Sequence, residues 1–466
     1  MTLTGSNTGG NVFAPVLGDN GGPTSLIKTG TGTWVLTAAN SYSGGTAING
    51  GILEIASDTN LGAPTGPLNL DGGTLATTAS FTSGRTTTLN SGGGTFDVAP
   101  ATTLTLSGAI RGVGALTKAD TGTLVLTGNN SYSGITNVAA GTLQAGATTA
   151  FSPNSAFDVA ATLDLHGFSN TIGSLSGTGI VINSATAPAI LTAGKNDAST
   201  TFSGTIQDGN GVLGLTKIGT GTLTLTGGNT YSGGTTISAG TLQIGNGGTT
   251  GVGDVTDNGT IVFDRSGPQK TFSGMISGSG NLVKLGSDTL VLTAKNTYSG
   301  ETTIESGVLV AGIPIAGQAT SFALGSGDVF FLGGTLRTPS LDPLVINVGR
   351  NYTQGPGGTL ALGVAGLDGS QYDHVRVRGN ASLHGTLSVT SLNNFHPVNG
   401  NYFVVLRTSG GRSGRFAQFN DFLNNNPNLQ PIGYYAPNGV ALIYIAATTP
   451  GPPVPPGGPN PRPPIY

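Results

Sequence analysis

The chain has 466 residues, enough for two or three ordinary domains or for one elongated solenoid. Only 8% of it is charged and the formal net charge is −3, which excludes a basic field for nucleic acid or anionic lipid and a strongly acidic metal-binding surface. It has no cysteine, so disulfides and thiolate metal sites are excluded, and no apolar run approaches the ~18 residues of a membrane helix.

Glycine (81) and proline (25) together approach the proportion found in low-complexity disorder. The period of the sequence argues otherwise, because the glycines fall at turns between alternating apolar strands. Residues 1–25 read as an irregular start or a capping rung. The opening MTLTGSNTGG has neither a basic n-region nor an apolar h-region, so no signal peptide is read in this chain.

Residues 26–55, LIKTGTGTWVLTAANSYSGGTAINGGILEI, are the first of four copies of one phrase. Looser rungs such as LNLDGGTLATT (68–78) and ATTLTLSGAI (101–110) follow. The phrase returns at 116–145, 215–244 and 282–311. In every copy a lysine (Lys28, Lys118, Lys217, Lys284) precedes a tyrosine (Tyr42, Tyr132, Tyr231, Tyr298) by 14 residues. Within the third copy, Thr222 to Thr226 alternate polar and apolar with period 2, the half-buried strand pattern. Leu223 and Leu225 share the inward face, matched by Trp34/Leu36, Leu124/Leu126 and Leu290/Leu292. Turn formers occupy 227–234, a short strand centres on Ile237, and Leu242 and Ile244 form the next inward pair.

Such short strands bury their apolar face only by stacking on similar rungs. The lysine offsets of 90, 99 and 67 residues are unequal. They suggest rungs of roughly 20–30 residues with inserted loops. About 15 rungs stacked ~4.8 Å apart would form a rod on the order of 70 Å long. VFFLGGTLRT (329–338) is expected among the last of them.

The four copies resemble the passenger-associated transport repeat of autotransporter passengers, also known as autotransporter-associated β-strand repeats. FSGTIQDGNGVLGLTK (202–217), FSGMISGSGNLVK (272–284) and LDLHGFSNTIGSLSG (163–177) fit the same resemblance. It implies an all-β chain: a right-handed parallel β-solenoid (β-helix) over 1–340, with a C-terminal β-rich cap.

After Pro339 the tyrosine-serine-glycine signature disappears, and aromatics, arginines and asparagines become denser. Strands are predicted at Val375/Val377, from Leu383 to Val389, over 401–408 and over 440–447. Phe416, Phe419, Phe422 and Leu423 are spaced for one short helix within 416–426. Residues 341–447 resemble the autochaperone-like segment that precedes an autotransporter barrel, and are expected to cap the rod and nucleate its stacking. Residues 448–466 read as a Pro/Gly-rich linker or tail.

Candidate chemistry is sparse. His166, His374, His384 and His396 form no HExxH, and only His374 and His384 lie on neighbouring predicted strands. All four are read as solvated or turn histidines. Ser370, Asp373 and His374 hold the atoms of a triad, yet adjacent Asp and His cannot readily orient the ring. Glycine runs at 92–94 and 245–253 open no helix, so they are not phosphate loops. Asp254 and Asp257 are read as turn residues and not as calcium ligands. The Thr222/Thr224/Thr226 row lacks the successive-rung recurrence of an ice-binding face. Asn40, Asn130, Asn229 and Asn296 are read as corner formers, with the adjacent tyrosines covering the rung edge.

The sequence therefore assigns no catalytic, cofactor-binding or metal-binding residue, no cofactor and no enzymatic activity. The resemblance implies a secreted or surface-displayed passenger of a Gram-negative type cell, acting as a rigid stalk or adhesin-like scaffold. It also implies an outer-membrane β-barrel translocator as partner, and a host-cell or matrix surface as possible ligand. The competing readings are a polysaccharide-active β-helix enzyme, and an export scaffold whose functional domain lies elsewhere.

Overall fold

Alternation sets the local structure. In Thr222–Leu225, both leucines are buried and both threonines half-buried, as a period of 2 requires. The computed structural model describes residues 1–312, 320–321, 323–339 and 343–447. The tail at 448–466 lies outside them.

The chain winds as a β-solenoid with three faces. On the second face, nineteen strands run from Asn11–Phe13 to Gly411–Gly414 as one open sheet. Each strand pairs in parallel with the equivalent strand of the next coil: Thr33–Leu36 on Ile52–Ile55, Thr222–Leu225 on Thr241–Ile244, Asn380–Leu383 on Gly411–Gly414. At ~4.8 Å per step, the nineteen strands span on the order of 85 Å, somewhat more than anticipated from the sequence. Inward leucines, isoleucines and phenylalanines of successive coils form one core along the whole length. Trp34 is only half-buried, because the coil below offers Asn11 in register; its Nε1 donates to the Thr4 carbonyl at 3.1 Å.

Faces one and three are each broken into shorter sheets, and the copies of the repeat are separated by different numbers of coils. A copy of the phrase occupies five successive faces. In the third copy, Leu213–Lys217 lies on face one, Thr222–Leu225 on face two and the Asn-Thr-Tyr-Ser corner on face three, where the Thr230 amide donates to the Ile206 carbonyl at 3.0 Å. Thr235–Ile237 and Thr241–Ile244 then return to faces one and two. The first copy is placed the same way. The second and fourth begin one face later. Leu116–Ala119 and Asn281–Leu285 belong to face two, Thr123–Leu126 and Thr289–Leu292 to face three. Their corners stack on face one, where Ser131 donates to the Ile110 carbonyl and Thr297 to that of Ile276. The first and third copies thus start on face one and the second and fourth on face two, so the spacing from copy to copy is not a whole number of coils.

Parallel coils continue across residue 340. Val345–Val348, His374–Val377 and Tyr402–Thr408 stack on face one, while Thr359–Val364, Thr386–Ser391 and Gln418–Phe422 stack on face three. Only then does the pattern change. Gly439–Ala446 adds to Tyr402–Thr408 in antiparallel fashion, and Leu429–Ala436 pairs antiparallel with it. Phe403 sits at this end with Tyr372, Phe395 and Tyr444 edge-on around it, at centroid distances of 5.5–6.0 Å.

The helix expected within 416–426 is instead the strand Gln418–Phe422. Pairing with Thr386–Ser391 supplies each residue a ladder partner, and that overrides a helical spacing only about two turns long. As a result Phe416 and Leu423 are buried, whereas Phe422 is exposed and adds nothing to the end core. One short 3-10 turn, Asp58–Leu61, is the only helical element among the described residues.

Candidate functional site

Three recurrent side chains of the repeat turn inward, the asparagine and tyrosine of the corner and the lysine of an earlier strand. Asn40, Asn130, Asn229 and Asn296 are buried. Each Oδ1 accepts a backbone N–H from the preceding coil (Leu17, Ile110, Ile206, Ile276) at 2.7–2.8 Å. Each Nδ2 donates to a carbonyl of the following coil (Asn60, Ala150, Thr249, Ala323) at 2.6–2.7 Å. The asparagine is a clip across three coils. It satisfies backbone groups that the corner removes from the ladder.

The tyrosines do not cover a rung edge. Tyr42, Tyr132, Tyr231 and Tyr298 are fully buried. Each hydroxyl meets the threonine four residues on: Thr46, Thr136, Thr235 and Thr302, at 2.5–2.8 Å. Burial pushes the Tyr132, Tyr231 and Tyr298 hydroxyls well above the ordinary phenol value. These rings are core groups and are not open to a ligand. Gly251 lies over Tyr231 with φ +75°, and a Cβ there would stand 2.4 Å from the tyrosine carbonyl.

Lys28, Lys118, Lys217 and Lys284 are also fully buried. In the first three copies Nζ donates to the carbonyls of the next two residues and to one carbonyl of the following coil, as from Lys217 to Ile218, Gly219 and Ala239. In the fourth, an ion pair with Asp288 at 2.9 Å takes the last place. Burial draws the Lys118 ammonium down to about 8, against the opposing pull of Asp120 and Asp97. The recurrence of these lysines is plain in the sequence. Their inward aim is not, since a charged side chain is normally assigned to solvent.

The residues weighed for catalysis are dispersed. The Ser370 hydroxyl donates to Asp368 at 2.6 Å. Asp373 is buried and accepts from the Leu344 and Gly363 amides, each at 2.6 Å, and from the Thr338 hydroxyl. His374 is buried, and its Nδ1 lies 3.4 Å from the Tyr372 carbonyl. Burial lowers its basicity, with Arg376 and Arg407 acting in the same direction. His384 is exposed in the corner after Asn380–Leu383 and accepts the Gly385 amide. His166, at φ +44°, bonds Ser184, and His396 bonds the Leu423 carbonyl. Among the described residues no three His, Asp or Glu side chains are placed to hold a metal ion. None of the described helices is long and apolar enough to cross a membrane.

Asp254 is an exposed corner residue whose carboxylate accepts the Met275 amide at 2.8 Å. Asp257 is different from the turn residue expected. It ends the strand Val255–Asp257, is fully buried, and occupies the register of Ile237. Its Oδ1 accepts the Gly259 amide at 3.0 Å while Oδ2 has no partner. Burial raises this carboxyl to about 6. The Thr224 row is not continuous: Thr201 stands beside it on the preceding coil, but Gln243 takes the position on the following one.

One concentration of charge was not anticipated from the whole-chain balance. Residues 343–447 carry six arginines and three aspartates, although the chain is net acidic. Arg376 and Arg407 stand side by side on face one, with Asn347 beside Arg376. Together with Arg378, Thr408 and Asn438 they line a groove of about 570 Å³. The three arginines are exposed. Among the described residues none of their guanidinium groups is matched by a carboxylate in an ion pair.

Comparison with known proteins agrees with the repeat reading. The passenger-associated-transport-repeat family matches residues 26–55, 116–145, 215–244 and 282–311. The chain therefore carries four copies of this repeat. A stretch of 140 residues, 30% of the chain, is 44% identical to part of the adhesin BmaC autotransporter of Brucella suis biovar 1 (strain 1330). An alignment 170 residues long, covering 32% of the chain, is 29% identical to part of an extracellular serine protease of Serratia marcescens. These matches span 4% and 16% of the two relatives' own lengths.

Proposed function

We propose that this chain is a rod-forming segment of an autotransporter passenger, displayed on or released from the surface of a Gram-negative type cell, with an adhesin-like scaffold role. The observation that carries the reading is the unbroken parallel ladder of nineteen strands, into which all four transport repeats are wound with their lysine, asparagine and tyrosine side chains turned inward. The repeat's distinctive residues are spent on holding coils together, so recognition falls to outward side chains and corners between coils. Similarity to the Brucella adhesin favours display over catalysis. The dispersal of Ser370, Asp373 and His374 supports the same choice.

The outer-membrane β-barrel translocator and a host-cell or matrix surface are the partners this role requires. Fusing residues 1–447 between a signal peptide and a β-barrel translocator tests the role. Expected are protease-accessible display on intact cells and increased adherence to matrix-coated surfaces over cells displaying the barrel alone. Display without any gain in adherence would reduce the role to that of a spacer. Reproducible cleavage of a polysaccharide or peptide, lost in Asp373→Asn, would favour the enzymatic reading instead.

A further inference from the structure

The groove on face one concentrates exposed charge that the stacking of the coils does not use. Its guanidinium groups are arranged by the ladder itself. Arg376 and Arg407 are adjacent register partners on neighbouring strands, which sets their backbones ~4.8 Å apart, and Arg378 lies two residues along the strand from Arg376, roughly 7 Å away. Like charges stacked at that distance repel. No carboxylate among the described residues pairs with them, and the positive field of Arg376 and Arg407 acts on the buried His374, two residues before Arg376 on the same strand. Such an arrangement costs stability unless an anion completes it.

The lining narrows the class of anion. The exposed Asn438 and Ser409 and the half-buried Asn347 add neutral polar groups around the arginines, suited to hydroxyl groups, while the buried Thr408 hydroxyl is spent on the Gly379 carbonyl. The apolar lining residues Val348 and Val377 are buried and offer no surface for an acyl chain. The volume of about 570 Å³ falls within the 300–1,000 Å³ of small-ligand sites. Planar guanidinium groups pair oxyanions in a bidentate fork. We propose that this groove binds an oligosaccharide segment bearing sulfate or carboxylate groups, with Arg376, Arg378 and Arg407 pairing the oxyanions and Asn347 and Asn438 meeting neighbouring hydroxyls. This would give the adhesin-like reading its ligand class. It rests on that reading only for its physiological place, because binding is measured on the purified chain and can fail while display succeeds.

The experiment is binding of the full chain to immobilised heparin, polygalacturonate and neutral dextran, and to phosphatidylglycerol vesicles, at 50 and 300 mM salt. Variants are Arg376→Gln, Arg407→Gln and the triple Arg376→Gln/Arg378→Gln/Arg407→Gln. Arg111→Gln, an exposed arginine on the distant strand Ile110–Gly112 of the same face, is the charge-matched control. Circular dichroism confirms that each variant is folded.

Expected is salt-sensitive binding to heparin or polygalacturonate and none to dextran. Each single substitution should weaken it about tenfold, as loss of a charge-assisted pair does. The triple variant should abolish it, and Arg111→Gln should leave it unchanged. Preference for one polymer identifies the oxyanion as sulfate or carboxylate. Binding to neither, equal loss in Arg111→Gln, or retention of vesicles in place of both glycans would overturn the proposal.

Discussion

The hydroxyls of Tyr231 and Thr235 lie 2.6 Å apart with both side chains buried inside the coil. The pair recurs in every copy of the repeat. It makes the tyrosine a core strut that spans a corner, with its one polar atom satisfied internally. Tyr231→Ala should therefore cost about 3–5 kcal/mol, as deletion of a buried aromatic does. Tyr231→Phe should cost only about 0.5–1.5 kcal/mol, since Thr235 retains the Thr250 carbonyl at 3.0 Å. Urea midpoints of the two variants measure the difference. A negligible loss in Tyr231→Ala would mean that the ring lies outside the core.

Strand phase is tested by a neighbouring pair. Leu225 is fully buried and Thr224 half-exposed. Leu225→Asp forfeits roughly 1.5–3 kcal/mol of apolar burial and also buries an unpaired carboxylate. Thr224→Asp should shift the denaturation midpoint far less. Equal midpoints would contradict the inward assignment.

How much of this was readable in advance divides along physical lines. Alternation at Thr222–Leu225 and the turn formers after it are local signals, and they predicted the parallel solenoid and the inward leucines. The change of starting face between copies was not legible, because coil length depends on how each corner packs on its neighbours. Gln418–Phe422 is a strand against its helical spacing, because a ladder partner 32 residues away decides it. Lys217 and Asp257 point inward against the usual rule for charged groups, and only the placement of carbonyls and amides from the adjacent coil accounts for them. The denser arginines after Pro339 are legible in the sequence, but the register that sets Arg407 beside Arg376 is not, because it depends on the length of the loop between their strands.

Asp257 makes stability depend on pH in an unusual direction. Burial raises its carboxyl from 3.8 to about 6, so between roughly pH 4 and pH 6 the folded chain holds a proton that the unfolded chain has released. Stability contributed by this group is full below pH ~4, falls as pH rises through that window, and is level above it. Asp257→Asn should remove the slope. The gap between variant and wild type should change by on the order of 1–3 kcal/mol from pH 4 to pH 7. Thermal melts of both proteins across that range are the measurement, and a pH-independent gap would show that the carboxyl is not shifted.

Stacking is expected to nucleate at the C-terminal end, where Tyr372, Phe395, Phe403 and Tyr444 pack together and the antiparallel strands close face one. Glycine-rich coils are costly to order and gain structure once a neighbour is formed. Removing residues 345–447 also strips the partners of Val329–Phe331 and Thr335–Arg337. Residues 1–344 should then refold slowly and aggregate, while 300–447 should retain a protease-resistant core. Refolding of 1–344 as fast and as soluble as the full chain would reduce the end segment to a connector.

One uninterrupted ladder runs from Asn11–Phe13 to Gly411–Gly414. The chain has no cysteine, so single cysteines placed at the exposed positions Val12 and Ser413 can be labelled without background. Single-molecule energy transfer between them should report a separation on the order of 85 Å, with a narrow distribution, as nineteen rungs at ~4.8 Å require. A compact chain of this length has a radius of gyration of roughly 23 Å and is about 60 Å across. A separation below about 60 Å, or a broad distribution, would contradict the continuous rod.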